Sequence, residues 1–168
     1  MKQYTFLLLL VSALTTAQNQ VTETFLEKWT NSKNYLLEVA QAMPEDLYTY
    51  KPSERQMTFG QQLMHIKQNM EWLSTSYFTD EPYEKTKDEK SYSKEETIAL
   101  IETSFDQVSE IIKKTDPKAL DTKATFFAGP KTRLQILNLL QDHVTHHRGQ
   151  LLVYLNLNEI EPPKYVGW

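Results

Sequence analysis

Asp142-His143-Val144-Thr145-His146-His147-Arg148-Gly149-Gln150 holds three of the chain's four histidines. Around it Leu137, Leu140, Val144, Leu151 and Leu155 recur at intervals of three and four, the period of an amphipathic helix. At ~100° per residue these side chains form one stripe. His147 projects near the middle of that stripe. His143 sits at its edge, one turn earlier, and His146 points away toward water. A histidine on an apolar stripe must find partners for its ring nitrogens. Two readings stay open at this point. The pair is hydrogen-bonded within a core, or the imidazoles at i and i+4 chelate one divalent metal from successive turns.

Outward from this segment, the rest of the chain falls into three further amphipathic stretches. The first spans about Gln20 to Ala42, with Phe25, Trp29, Ser32, Leu36, Val39 and Met43 facing inward, and Pro44 stops it. The second is capped by Thr58 with Gln61 three residues later, a capping box. Phe59, Leu63, Ile66, Met70, Leu73 and Tyr77 form its stripe, and His65 lies on the flank with Gln62, Asn69 and Trp72. Ser93 and Glu96 open the third, which carries Ile98, Ile101, Phe105, Val108 and Ile112 and ends at Asp116-Pro117. Thr132 and Gln135 open the fourth. The spacing therefore predicts an all-α four-helix bundle with a charged crossover loop from Asp80 to Tyr92. No strand-like alternation and no internal repeat is expected. The loop Phe126-Phe127 packs over one end or lines a pocket, packing being the favoured reading, and the proline-containing tail is read as lying back on the bundle. Gly149 in mid-helix predicts close approach of another element.

The first residues read differently. Lys2 is followed by the apolar run Phe6–Leu14 and by Thr15-Thr16-Ala17, the pattern of a secretory leader. Residues 1–17 are assigned to that signal peptide and 18–168 to one domain. The run is shorter than the ~20 residues a membrane span needs, so no membrane anchor is expected and the protein is placed in the periplasm or outside the cell. With Lys2 removed, the net charge of -4 becomes -5. Basic residues are dispersed, which gives no electrostatic reason to expect nucleic-acid binding. The chain has no cysteine, hence no disulfide.

If the second and fourth helices are neighbours, His65, His143 and His147 form one set. Three imidazoles leave a coordination position free for water or a small-molecule substrate, the pattern of a catalytic more than a structural site. Imidazole ligands suit zinc, nickel, iron or copper, and the expected cofactor is one divalent transition metal, with zinc, nickel, iron and manganese as the candidates. Gln62, Asn69 and Gln150 are placed to orient ligand rings, or are an ordinary polar flank. Trp72 walls a pocket or packs between helices. Arg148 is read as a structural ion pair, Asp142 as solvated, and Glu71 as pointing away from the histidines.

Met57-Thr58-Phe59-Gly60-Gln61-Gln62-Leu63-Met64-His65-Ile66, then Asp142-His143 with His147-Arg148-Gly149-Gln150, then Pro162-Pro163-Lys164-Tyr165, resemble the DinB family of helical metalloproteins. The resemblance covers nearly the whole mature chain. It implies a four-helix bundle with a long crossover, a divalent metal on His65, His143 and His147, and frequent homodimers. Relatives include thiol-dependent transferases and isomerases, from which the leader sets this chain apart. The functional expectation is a metal-dependent hydrolase or transferase of unknown substrate. The alternatives are a non-enzymatic metal-binding or stress-related bundle, or an interaction module with buried histidines.

Overall fold

The computed structural model describes residues 2–85 and 91–167, with side chains from residue 20 onward. Four helices dominate: α1 (Lys2–Ala42), α2 (Phe59–Phe78), α3 (Lys94–Lys114) and α4 (Arg133–Leu157). All three expected capping boxes are formed, at Thr58/Gln61, Ser93/Glu96 and Thr132/Gln135. In each, the N-cap oxygen accepts from the third backbone N–H while the side chain at that position returns a bond to the cap.

α1 starts earlier than the expected Gln20. The helical backbone runs unbroken from Lys2 to Ala42, and nothing in that stretch is a glycine or proline. The apolar run assigned to the leader lies where only this backbone is described. Among the described residues, no helix is long and apolar enough to cross a membrane.

Side-chain contacts fix the helix directions. Trp29 meets Phe105 and Lys33 meets Glu102 and Asp106, while Lys94 donates to the carbonyls of Gln41 and Met43, so α1 and α3 are antiparallel. Ser32 meets Gln141 and Tyr35 meets Arg148, so α1 and α4 are parallel. Arg133 reaches the Tyr77 carbonyl and His65 meets His143, so α2 and α4 are antiparallel. α2 and α3 therefore run in the same direction. The connection between them must return along the bundle, about 30 Å for the 20 residues of α2 at 1.5 Å each. That is the expected crossover, of which residues 86–90 lie outside the described residues.

The core lies between the four helices and includes Trp29, Leu36, Phe59, Leu63, Ile66, Phe105, Leu140 and Val144, all fully buried. α4 ends in a Schellman turn: the Ile160 N–H reaches the Leu155 carbonyl and the Glu159 N–H reaches Asn156, with Glu159 at φ 57°. This turn sends the tail back over α1, where Lys28 donates to the Gly167 carbonyl and Tyr165 meets Tyr35 edge-on.

Four local features depart from expectation. Lys123–Ala124 and Lys131–Thr132 pair as a two-stranded antiparallel ribbon, β1 and β2, too short to show alternation. Phe126 at its turn packs on Trp72 and Tyr77, whereas Phe127 is 81 % exposed. Arg148 has no carboxylate partner among the described residues; its guanidinium lies 4.6 Å over the Tyr35 ring, a cation–π contact that replaces the expected ion pair.

Gly149 is the fourth. It is exposed, and a Cβ built there meets nothing within 4 Å. Gly149→Ala is accordingly expected to stabilise the bundle by about 0.5–1 kcal/mol through helix propensity and reduced unfolded-state freedom. Urea unfolding checks this; a loss of stability would show that the position is sterically closed.

Candidate metal centre

α2 and α4 face each other along their apolar stripes, and the flank of one meets the edge of the other. This brings His65 of α2 against His143 and His147 of α4. Ring centroids lie 4.9 Å apart for His65–His143, 4.6 Å for His65–His147 and 4.4 Å for His143–His147. One nitrogen from each of the three falls within 4.8 Å of the others. The Nε2 atoms of His65 and His143 are 3.2 Å apart. Two imidazole nitrogens on one tetrahedral ion, at 2.0–2.1 Å from it, would be about 3.3 Å apart. The donor set and its spacing therefore fit a divalent transition ion.

The tautomer of His147 follows from its neighbours. Its Nδ1 lies 2.6 Å from the Gln62 Oε1 and 2.9 Å from the Gln150 Oε1. Both oxygens are acceptors, so Nδ1 carries the proton and Nε2 keeps its lone pair. The Gln62 orientation is fixed in turn. Its Nε2 donates to the Tyr154 hydroxyl at 3.4 Å, and that hydroxyl donates to the Met57 carbonyl at 2.8 Å. Gln62 is 2 % exposed and His147 9 % exposed, so the chain of bonds is sheltered from water. Metal-ligating histidines characteristically donate their second N–H in this way.

A model of the DinB family matches residues 15–165. The chain belongs to the DinB family. The uncharacterized protein YjoA of Bacillus subtilis is 24% identical over 153 residues, covering 88% of this chain and 95% of its own. The crystal structure of that DinB-like protein superposes with a TM-score of 0.71 at 23% identity, over 84% of this chain and 96% of the other. A DinB-like protein from Bacillus cereus superposes with a TM-score of 0.74 at 21% identity, over 86% and 97%. These likenesses establish the four-helix DinB fold.

Within this DinB bundle, burial depresses the pKa of His143 to about 3 and of His147 to about 4, with the neighbouring imidazoles adding to the effect. His65 is lowered by burial and then by Lys85. All three are neutral at pH 7, the state that binds a metal. The consequence for folding has a definite sign. At His143 and His147 the unfolded chain takes up protons near pH 6.5 and the folded chain only near 3–4, so apo-protein stability falls as pH drops through that window. Urea midpoints from pH 7 to 4 are expected to fall more steeply for the native chain than for His143→Gln. Equal slopes would show that these imidazoles do not resist protonation.

The remaining residues of the expected site divide. Gln62 and Gln150 both hold the His147 ring, so Gln62 bonds across to α4 rather than to His65 beside it. The Asn69 Oδ1 is buried without a partner. Trp72 packs with Phe126, Phe127 and Tyr77 over the bundle end. His146 is exposed, as expected, and so is Asp142. Glu71 is held by Lys67 and by Ser104 of α3, away from the histidines. Tyr154 was missed. It follows His147 by seven residues, which places it on the same face, and a buried tyrosine needs a partner for its hydroxyl. A cavity of about 650 Å³ opens beside the site, with His65, Gln61, Met64, Gln68, Tyr48 and Met57 on its wall.

Proposed function

We propose that this DinB protein binds one divalent transition metal through the Nε2 atoms of His65, His143 and His147. The observation that carries this reading is the His147 ring, whose Nδ1 proton is committed to Gln62 and Gln150 while the ring packs 4.6 and 4.4 Å from two other imidazoles. Bound there, the ion supplies Lewis acidity for hydrolysis or group transfer. The residues bind it, hold the rings in one orientation and keep a neutral donor set. The cavity beside His65 is of a size to admit a small-molecule substrate. A second reading, metal binding without catalysis, is favoured by the cluster itself: among the described residues no carboxylate joins the three histidines to serve as a base. Export through the leader at residues 1–17 and pairing into homodimers belong to the same proposal. They rest on the Phe6–Leu14 run and on family resemblance.

Elemental analysis of the untagged protein tests the metal assignment. About one equivalent of transition metal is expected in the native chain and in His146→Ala, and little in His65→Ala. Absence of metal from the native chain after incubation with zinc, nickel or manganese would overturn it, as would equal loss in His146→Ala.

A further inference from the structure

His143 Nδ1 and Asn69 Oδ1 are both buried, and neither has a hydrogen-bonding partner. A buried donor or acceptor left unpaired is costly. Gln141 Oε1 shares this condition. However, the Gln141 amide nitrogen donates to Ser32 of α1, which sets that side chain on the α1–α4 boundary. Of the other two atoms, His143 Nδ1 belongs to a ring at the α2–α4 boundary, and Asn69 Oδ1 to the flank of α2 that carries Gln62 and His65.

The helix register puts Asn69 one turn beyond the level of His143, diagonal to it across the two helices. α2 and α4 are antiparallel. Gln62 meets His147, and His65, about one turn on, meets both His147 and His143. Asn69 is one further turn along α2, opposite the turn of α4 that leads into His143. Each step of about four residues on one helix is matched by a step of four on the other. The chemistry is complementary as well. With Nε2 of His143 directed at a metal, Nδ1 must carry the proton and needs an acceptor. Asn69 Oδ1 is an acceptor without a donor.

We propose that Asn69 is a positioning residue for His143. It accepts the Nδ1 proton when Nε2 binds the ion, as Gln62 does for His147. The site would then be clamped from α2 at both ends, by Gln62 on one ligand of α4 and by Asn69 on the other. Asn69 therefore acts across the helix boundary and not on His65, its neighbour on α2. This inference rests on the metal-binding reading proposed above.

The test measures zinc affinity by competition with a chromophoric chelator in the native chain, Asn69→Leu and Asn69→Asp. Asn69→Leu has nearly the same shape but no acceptor, and is expected to bind about 10–100-fold more weakly. Asn69→Asp restores an acceptor and is expected to bind at least as tightly as the native chain. In the zinc-loaded native protein, ¹⁵N-resolved NMR of the imidazoles is expected to show a slowly exchanging Nδ1 proton on His143 that exchanges rapidly in Asn69→Leu. A merely structural asparagine would leave that signal unchanged. Unaltered zinc affinity in Asn69→Leu would overturn the assignment of Asn69 while leaving the three-histidine reading intact. Failure of the native chain to bind zinc would overturn both. Should Asn69→Leu not fold, a rapidly exchanging or absent Nδ1 proton on His143 of the native protein overturns the Asn69 assignment alone.

Discussion

Gln62→Leu is expected to weaken zinc binding by about 10-fold, and the double variant Gln62→Leu/Gln150→Leu by up to about 100-fold. The argument is geometric. His147 Nδ1 donates to both amide oxygens, so either alone still holds the ring, and loss of both frees its rotation and its tautomer. The shorter bond, at 2.6 Å, is to Gln62, which is itself held by Tyr154. Leucine conserves most of the volume, and Tyr154 keeps its bond to Met57, so the fold is expected to survive. Competition with a chelator gives the affinity, and far-ultraviolet circular dichroism gives the fold. An unchanged affinity in the double variant would show that the two glutamines do not orient His147.

Trp29→Ala is expected to destabilise the bundle by about 3–5 kcal/mol. Trp29 is fully buried between α1 and α3, stacks on Phe25, and meets Phe105 with ring centroids 4.6 Å apart. Its indole N–H donates to the Phe105 carbonyl at 3.1 Å. Truncation leaves a large cavity and removes that bond, while Ser109 continues to bond the same carbonyl. The histidines lie on the α2–α4 boundary, so the folded variant is expected to keep its metal affinity. Zinc at 100 times its Kd would then restore about 2.7 kcal/mol by mass action. Chemical unfolding with and without zinc checks both figures. A loss below about 1.5 kcal/mol would place Trp29 outside the main core.

These two residues also show what a single sequence discloses. Trp29 was visible as part of a three-four stripe, and Thr58/Gln61, Ser93/Glu96 and Thr132/Gln135 marked helix starts, because caps and periodicity are local properties. The pair His143 and His147 was visible for the same reason. His65 joined it only on the assumption that α2 and α4 are neighbours, which their contacts bear out.

What depends on pairing between elements was not visible. Periodicity places Gln62 on a flank but does not say which histidine that flank meets, and it met His147. Arg148 was expected to find a carboxylate. The residue opposite it is Tyr35, which no pattern within α4 reveals. A mid-helix glycine such as Gly149 suggests close packing, but a glycine alone does not disclose what faces it, and here a Cβ would meet open space. The β1–β2 ribbon is two residues on each side, below the length at which alternation is detectable.

The first measurement to make is X-ray absorption at the zinc K-edge of the untagged, zinc-loaded protein. Three imidazole nitrogens at about 2.0–2.1 Å, with outer-shell ring scattering and one further light atom, are expected. A shell of oxygens without imidazole scattering would contradict the three-histidine centre and return His65, His143 and His147 to the role of a buried, metal-free cluster.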